Sequence, residues 1–133
     1  MRDLEEWWGS PDLLAEVGRW AATELGRHGV TATGPAVAHR VRFWSAVFRV
    51  PTEAGTFWVK AASPGQGFEI ALTSALADLV PEHVLTPLAT VVDPARDRFW
   101  MLMPDGGTTL RDHGGATTAH WCRLVRDLAE LLD

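Results

Sequence analysis

RFWSAVFRVPTEAGTFWVKA, residues Arg42 to Ala61, decides the fold. Ala46 to Val50 and Thr56 to Ala61 are short runs rich in β-branched and aromatic residues. PTEAG between them carries both Pro and Gly, so the two runs read as a β-hairpin. The second run ends on Lys60, the only lysine among twelve Lys and Arg residues. In a strand alternate side chains face opposite ways. Phe57 and Val59 therefore share one face, which is plain core. Trp58 and Lys60 share the other, which suits a cleft with an apolar wall and a charged tip. A lysine offers a compact point charge that one carboxylate can fix, where arginine is a planar fork of different reach.

Working outward, Val37 to Arg42 is a further strand on the N-terminal side. SPGQG, Ser63 to Gly67, breaks the sheet and leads to a helix over Phe68 to Val80. Phe68, Leu72, Ala75, Leu76 and Leu79 follow its 3.6-residue period, and Pro81 marks the exit. Strands at Leu88 to Val92 and Arg98 to Met103 follow, joined by DPARD. Upstream of all these, Ser10 caps a helix with Pro11 and Asp12 in its first turn. Leu13, Leu14, Val17, Trp20, Ala21 and Leu25 recur on it at helical spacing, and Gly26 or Gly29 ends it. Trp7 and Trp8 read as its packing anchor. Pro104-Asp105-Gly106-Gly107 interrupts the pattern, and HGGATT, His113 to Thr118, is a loop. An amphipathic helix from about Thr118 closes the chain, with Trp121, Leu124, Val125, Leu128, Leu131 and Leu132 as its stripe. A stripe this apolar needs something to pack on. The expected class is α+β: an N-terminal helix, a five-stranded antiparallel sheet with one helix after the third strand, and a C-terminal amphipathic helix.

The bulk numbers exclude several functions. A length of 133 residues sets one core as the expectation, and 47% apolar residues with seven Trp argue for a folded globule. A net charge of −5 weighs against nucleic-acid binding, which needs a basic patch. The acidic start MRDLEEWWGS is no signal peptide and no apolar run reaches transmembrane length, so a cytoplasmic protein without a membrane partner is expected. Cys122 is the single cysteine and is expected as a small buried apolar side chain in a reducing compartment. The five histidines show no metal-ligand spacing, which leaves them surface or turn roles.

Glu69 falls in the first turn of the helix that follows Lys60. If that helix packs back across the sheet, the two side chains meet, and the carboxylate holds the ammonium at one point beneath a phosphate chain. On strand position alone, Lys60 also reads as a solvent-facing lysine guarding a sheet edge, and Glu69 as an acid favoured by the helix dipole.

The order of elements, with Lys on the third strand and Glu on the next helix, resembles the small lobe of protein-kinase-like folds. Arg42 to Ala61 looks more closely like the corresponding run of bacterial aminoglycoside phosphotransferase-like proteins. FWMLMPDGGTTLRD, Phe99 to Asp112, resembles their fifth strand, inter-lobe hinge and first large-lobe turn, and WCRLVRDLAELLD the start of their first long large-lobe helix. The resemblance implies residues 1–33 as a helical extension, 34–103 as the small lobe, and 104–133 as hinge and first helix of an incomplete large lobe. It implies ATP, as Mg-ATP in a complete family member. Lys60 would contact its α- and β-phosphates and Glu69 would anchor Lys60. Ser45, in the turn between the first two strands, would offer hydroxyl and backbone N–H to the phosphates. Met103, Pro104 and Asp105 would meet the purine edge, and Trp58 shares the Lys60 face.

Two departures qualify that pattern. No glycine lies between Arg40 and Ser45, so there is no glycine-rich phosphate loop. His113 to Gly115 reads HGG, without the aspartate of a His-Gly-Asp-type catalytic loop, and precedes the long helix. The expectation is therefore a nucleotide-binding small lobe with no catalytic or metal-ligating residues of its own, inactive alone, cut from or truncated before its large lobe. A small-molecule hydroxyl substrate would require that large lobe. Two readings compete: a non-catalytic module that self-associates through Trp121, Leu124, Leu128 and Leu131, and a structural domain with no ligand.

Overall fold

A computed structural model of the chain describes residues 4–107, 114–115 and 117–132. Asp112, His113 and Asp133 lie outside the described residues. The elements run α1 (Leu4–Trp8), α2 (Pro11–Arg27), β1 (Val37–Val41), β2 (Ser45–Thr52), β3 (Gly55–Ala62), α3 (Phe68–Leu79), β4 (Ala89–Asp93), β5 (Arg98–Pro104) and α4 (Thr118–Leu132). The class is α+β. The five strands form one antiparallel sheet in the order β1-β2-β3-β5-β4.

Capping sets the ends of α2. Leu13 N donates to Ser10 Oγ at 3.3 Å, and Pro11 opens the helix where its missing N–H costs nothing. The helix passes through Gly26 and stops at Arg27; Gly29 takes a left-handed φ of 75°, and Val30 N returns to Leu25 O at 2.9 Å. The short α1 ahead of it was not foreseen. It brings Trp8 into the core.

The hairpin runs longer than the sequence suggests. Only Glu53 and Ala54 form its loop, because Gly55 adopts a φ of 103° and Thr52 Oγ1 accepts from Ala54 N and donates to Gly55 O. Pro51 sits inside β2 rather than in a turn. By that point β1 has ended and β2 meets only an isolated bridge, Ala32 opposite Thr52, whose bonds use the Pro51 carbonyl, as acceptor from Thr33 N, and no Pro51 donor.

The two faces of the sheet differ. On one, Ala46, Phe48, Val50, Val59, Ala61, Trp100 and Leu102 pack against Leu13, Val17, Ala21 and Leu25 of α2. Helix α2 and the sheet thus share one core. Arg98 staples the layer, its guanidinium forking onto both Glu16 oxygens at 2.9 and 2.8 Å and lying over the Trp7 and Trp100 rings. The other face carries a smaller cluster of Ala62, Ile70, Phe99 and Met101, and α3 docks there.

Two expectations about the helices are overturned. Helix α3 does not bury the stripe of Phe68, Leu72, Ala75, Leu76 and Leu79. Its buried residues are Ile70 and Ala77, while Phe68, Leu72 and Leu79 are exposed. The helix meets the sheet through Ile70, which packs with Ala62, Phe99 and Met101. Cys122 is exposed rather than buried, because α4 buries none of its described residues. Trp121 and Val125 are 59% and 65% exposed on it. Thr117 and His120 close a reciprocal cap at its start.

Candidate functional site

The site lies on the second face of the sheet, beside the patch of β5 and the end of β3 on which α3 docks. Register fixes its membership. Arg40, Val47, Lys60, Met101 and Thr90 are successive cross-strand partners, so they form one row of side chains on this face. Arg49, Trp58 and Met103 form the adjacent row. Ser45 faces Ala62 in the next row along, at the hairpin that joins β1 and β2.

Lys60 Nζ donates to Glu69 Oε1 at 2.6 Å. The helix N-terminus is aimed so that Ile70 seats in the small cluster, which leaves the preceding Glu69 over β3. Both side chains are about one-third exposed, at 34% and 33%. A pair this wet contributes about 0–1 kcal/mol to stability. Glu69→Gln is therefore expected to shift the melting temperature by less than about 5 °C in a thermal melt. A larger fall would make the pair a structural clasp instead of a placed charge.

Trp58 is held as well. Its indole Nε1 donates to Asp105 Oδ1 at 3.3 Å, the same oxygen accepts from Gly107 N at 3.2 Å, and the His39 ring meets the indole edge-on at 4.9 Å. Together His39, Arg40, Val47, Trp58, Asp105, Gly106 and Gly107 line a cavity of about 300 Å³. Of the residues expected from sequence, Lys60, Glu69, Trp58, Met103, Asp105 and Ser45 gather on this side. Ser45 is the first residue of β2 rather than a turn residue; Arg42 N donates to its carbonyl at 2.8 Å, and the turn itself is Phe43-Trp44. Pro104 stands opposite Phe57, which places it in register with the core-facing side.

Sequence reasoning missed His39 and Arg40. The register of β1 against β2 shifts between Ala38 and Arg40, a β-bulge that sets Arg40 opposite Val47 and gives His39 its contact with Trp58. No glycine or proline in VAHRV announces it.

Chemically, the arrangement sets cationic side chains beside the flat apolar surface of Trp58. Arg40 stands in the row of Lys60 with Val47 between them, Arg49 stands in the adjacent row, and neither arginine has a carboxylate partner among the described residues. The described residues contain no cluster of three or more His, Cys, Asp or Glu able to hold a metal, and no helix long and apolar enough to cross a membrane. No family model, curated protein or solved structure matches this chain.

Proposed function

We propose that the chain is the nucleotide-binding small lobe of an ATP-dependent small-molecule phosphotransferase of the aminoglycoside phosphotransferase-like kind, acting in the cytoplasm. The observation that carries this reading is the Lys60–Glu69 bond at 2.6 Å, made on the open face of the sheet. A carboxylate fixes the one lysine where a polyphosphate can reach it. The order of three strands, a helix and two strands, with that pair on the third strand and the helix, supports the same reading. In it, Trp58 and the Met103–Asp105 segment border the base, Ser45 closes the phosphate end, and magnesium ligation and orientation of a hydroxyl acceptor come from outside this sequence.

Mg-ATP tests it directly. Ligand at about 100 times Kd is expected to add about 2.7 kcal/mol of stability, read as a rise in melting temperature with a change in Trp58 fluorescence. Lys60→Met is expected to abolish both. No response of the wild-type chain at millimolar Mg-ATP sinks the reading.

A second reading rests on α4, whose apolar stripe of Trp121, Leu124 and Leu128 is exposed. Arg123 and Arg126 precede Asp127 and Glu130 along it. Two copies packed antiparallel through Trp121, Leu124, Leu128 and Leu131 bring opposite charges together. A dimer persisting through dilution in sedimentation velocity supports that module; a monomer at every concentration excludes it.

A further inference from the structure

We infer that Arg40, delivered by the β1 bulge, is the second phosphate anchor of this site and replaces the glycine-rich loop that the sequence lacks; the inference rests on the nucleotide reading above. Phosphates held by backbone N–H groups need a loop that lets the ligand approach the main chain, and glycine supplies it. The connection between β1 and β2 contains none. It is closed tightly over Phe43 and Trp44, with Arg42 N bonded to Ser45 O and Ser63 N bonded to Trp44 O. A turn committed to these bonds offers little free backbone to an anion. A side chain must do that work.

Arg40 is placed for it. The bulge shifts β1 by one residue, so Arg40 pairs with Val47, and Val47 pairs with Lys60 on its other side. Two strand spacings of about 4.8 Å separate the Arg40 and Lys60 backbones, so the two cations stand astride Val47 on one face. Val47 is half-buried and gives the gap an apolar floor. Arg40 makes no ion pair among the described residues, and it lines the same cavity as Trp58 and Asp105. The two carboxylates of this site are already engaged: Glu69 by Lys60, and Asp105 by Trp58 and Gly107. Arg40 therefore faces a ligand with its donors uncommitted. Its planar fork grips two oxygens of a phosphate, where Lys60 acts as a point charge. The ligand class that fits is a polyphosphate spanning both cations, with an aromatic group toward Trp58.

The test is isothermal titration of the whole chain with Mg-ATP, inorganic tripolyphosphate and adenosine. Wild type, Arg40→Gln, Arg40→Lys and Lys60→Met are compared, with Arg27→Gln on the far side of α2 as control. Arg40→Gln is expected to weaken Mg-ATP and tripolyphosphate by about tenfold and leave adenosine unchanged. Arg40→Lys should fall between, since it keeps the charge and loses the fork, and it also carries the test if the glutamine variant folds poorly. If Lys60→Met loses the triphosphate while both Arg40 variants bind it as wild type does, Arg40 is no anchor and the nucleotide reading stands. Equal weakening of adenosine assigns Arg40 to cavity shape and overturns its phosphate role. If wild type binds neither Mg-ATP nor tripolyphosphate, or Lys60→Met binds both unchanged, the nucleotide reading fails and this inference with it.

Discussion

Phe48→Ala is expected to lower the unfolding free energy by about 3–5 kcal/mol, the largest stability loss of any single change considered for this chain. Phe48 is fully buried and is the largest of the side chains with no exposure. It sits in β2, between Ala38 of β1 and Val59 of β3, on the face covered by Leu13, Val17, Ala21 and Leu25. Truncation removes the transfer free energy of the ring and leaves a void that the sheet cannot close, because both neighbouring strands are fixed by the ladder. Domains of this size are stable by about 5–15 kcal/mol, so the variant stands near the edge of folding. Urea denaturation followed by Trp fluorescence should show a lower midpoint at an unchanged slope. Phe48→Leu, which keeps most of the volume, should lose less and provides a folded comparison. A loss below about 1 kcal/mol for the alanine variant would mean that α2 and the sheet do not form the main core.

Gly67→Ala is expected to cost about 1–3 kcal/mol and to weaken Mg-ATP binding with it. The backbone of Gly67 is ordinary helix, at φ −61° and ψ −23°, so conformation alone would accept alanine. Space does not. An added Cβ would stand 2.6 Å and 2.8 Å from Phe99 Cδ1 and Cε1. That ring is buried among Ala62, Ile70 and Met101 and has little room to retreat. The start of α3 has to move away from the sheet instead, and Glu69, two residues on, moves with it. The expected signature is a double one: a lower melting temperature and a weaker nucleotide response, although Gly67 offers no side chain to a ligand. Glu69→Gln separates the two effects, since it removes the carboxylate without displacing α3. A Gly67→Ala protein with unchanged stability would show that Phe99 can rotate out of the way.

Much of the fold was legible because periodicity reports burial. Leu13, Val17, Ala21 and Leu25 recur at helical spacing and are all buried, and Phe57 and Val59 alternate with Trp58 and Lys60 as a strand between two different environments requires. The same logic failed on α3 and α4. Periodicity shows that a stripe exists and does not show what covers it. On α3 the smaller face of Ile70 and Ala77 won, because the available patch of sheet fits it; on α4 no described residue is buried.

The candidate site divides in the same way. Strand and helix order, the single lysine at position 60, its face-mate Trp58 and a carboxylate early in the next helix can all be read from the residues alone. Those are local facts, set by composition, spacing and turn chemistry. It took the tertiary fold to dock the start of α3 on β5 and the end of β3, which brings Lys60 Nζ to 2.6 Å from Glu69 Oε1. A one-residue register shift in β1 likewise puts Arg40 in the same row as Lys60 and gives His39 its edge-on contact with Trp58. Both depend on pairing between segments distant in sequence, where a shift of one residue turns a side chain from one face to the other.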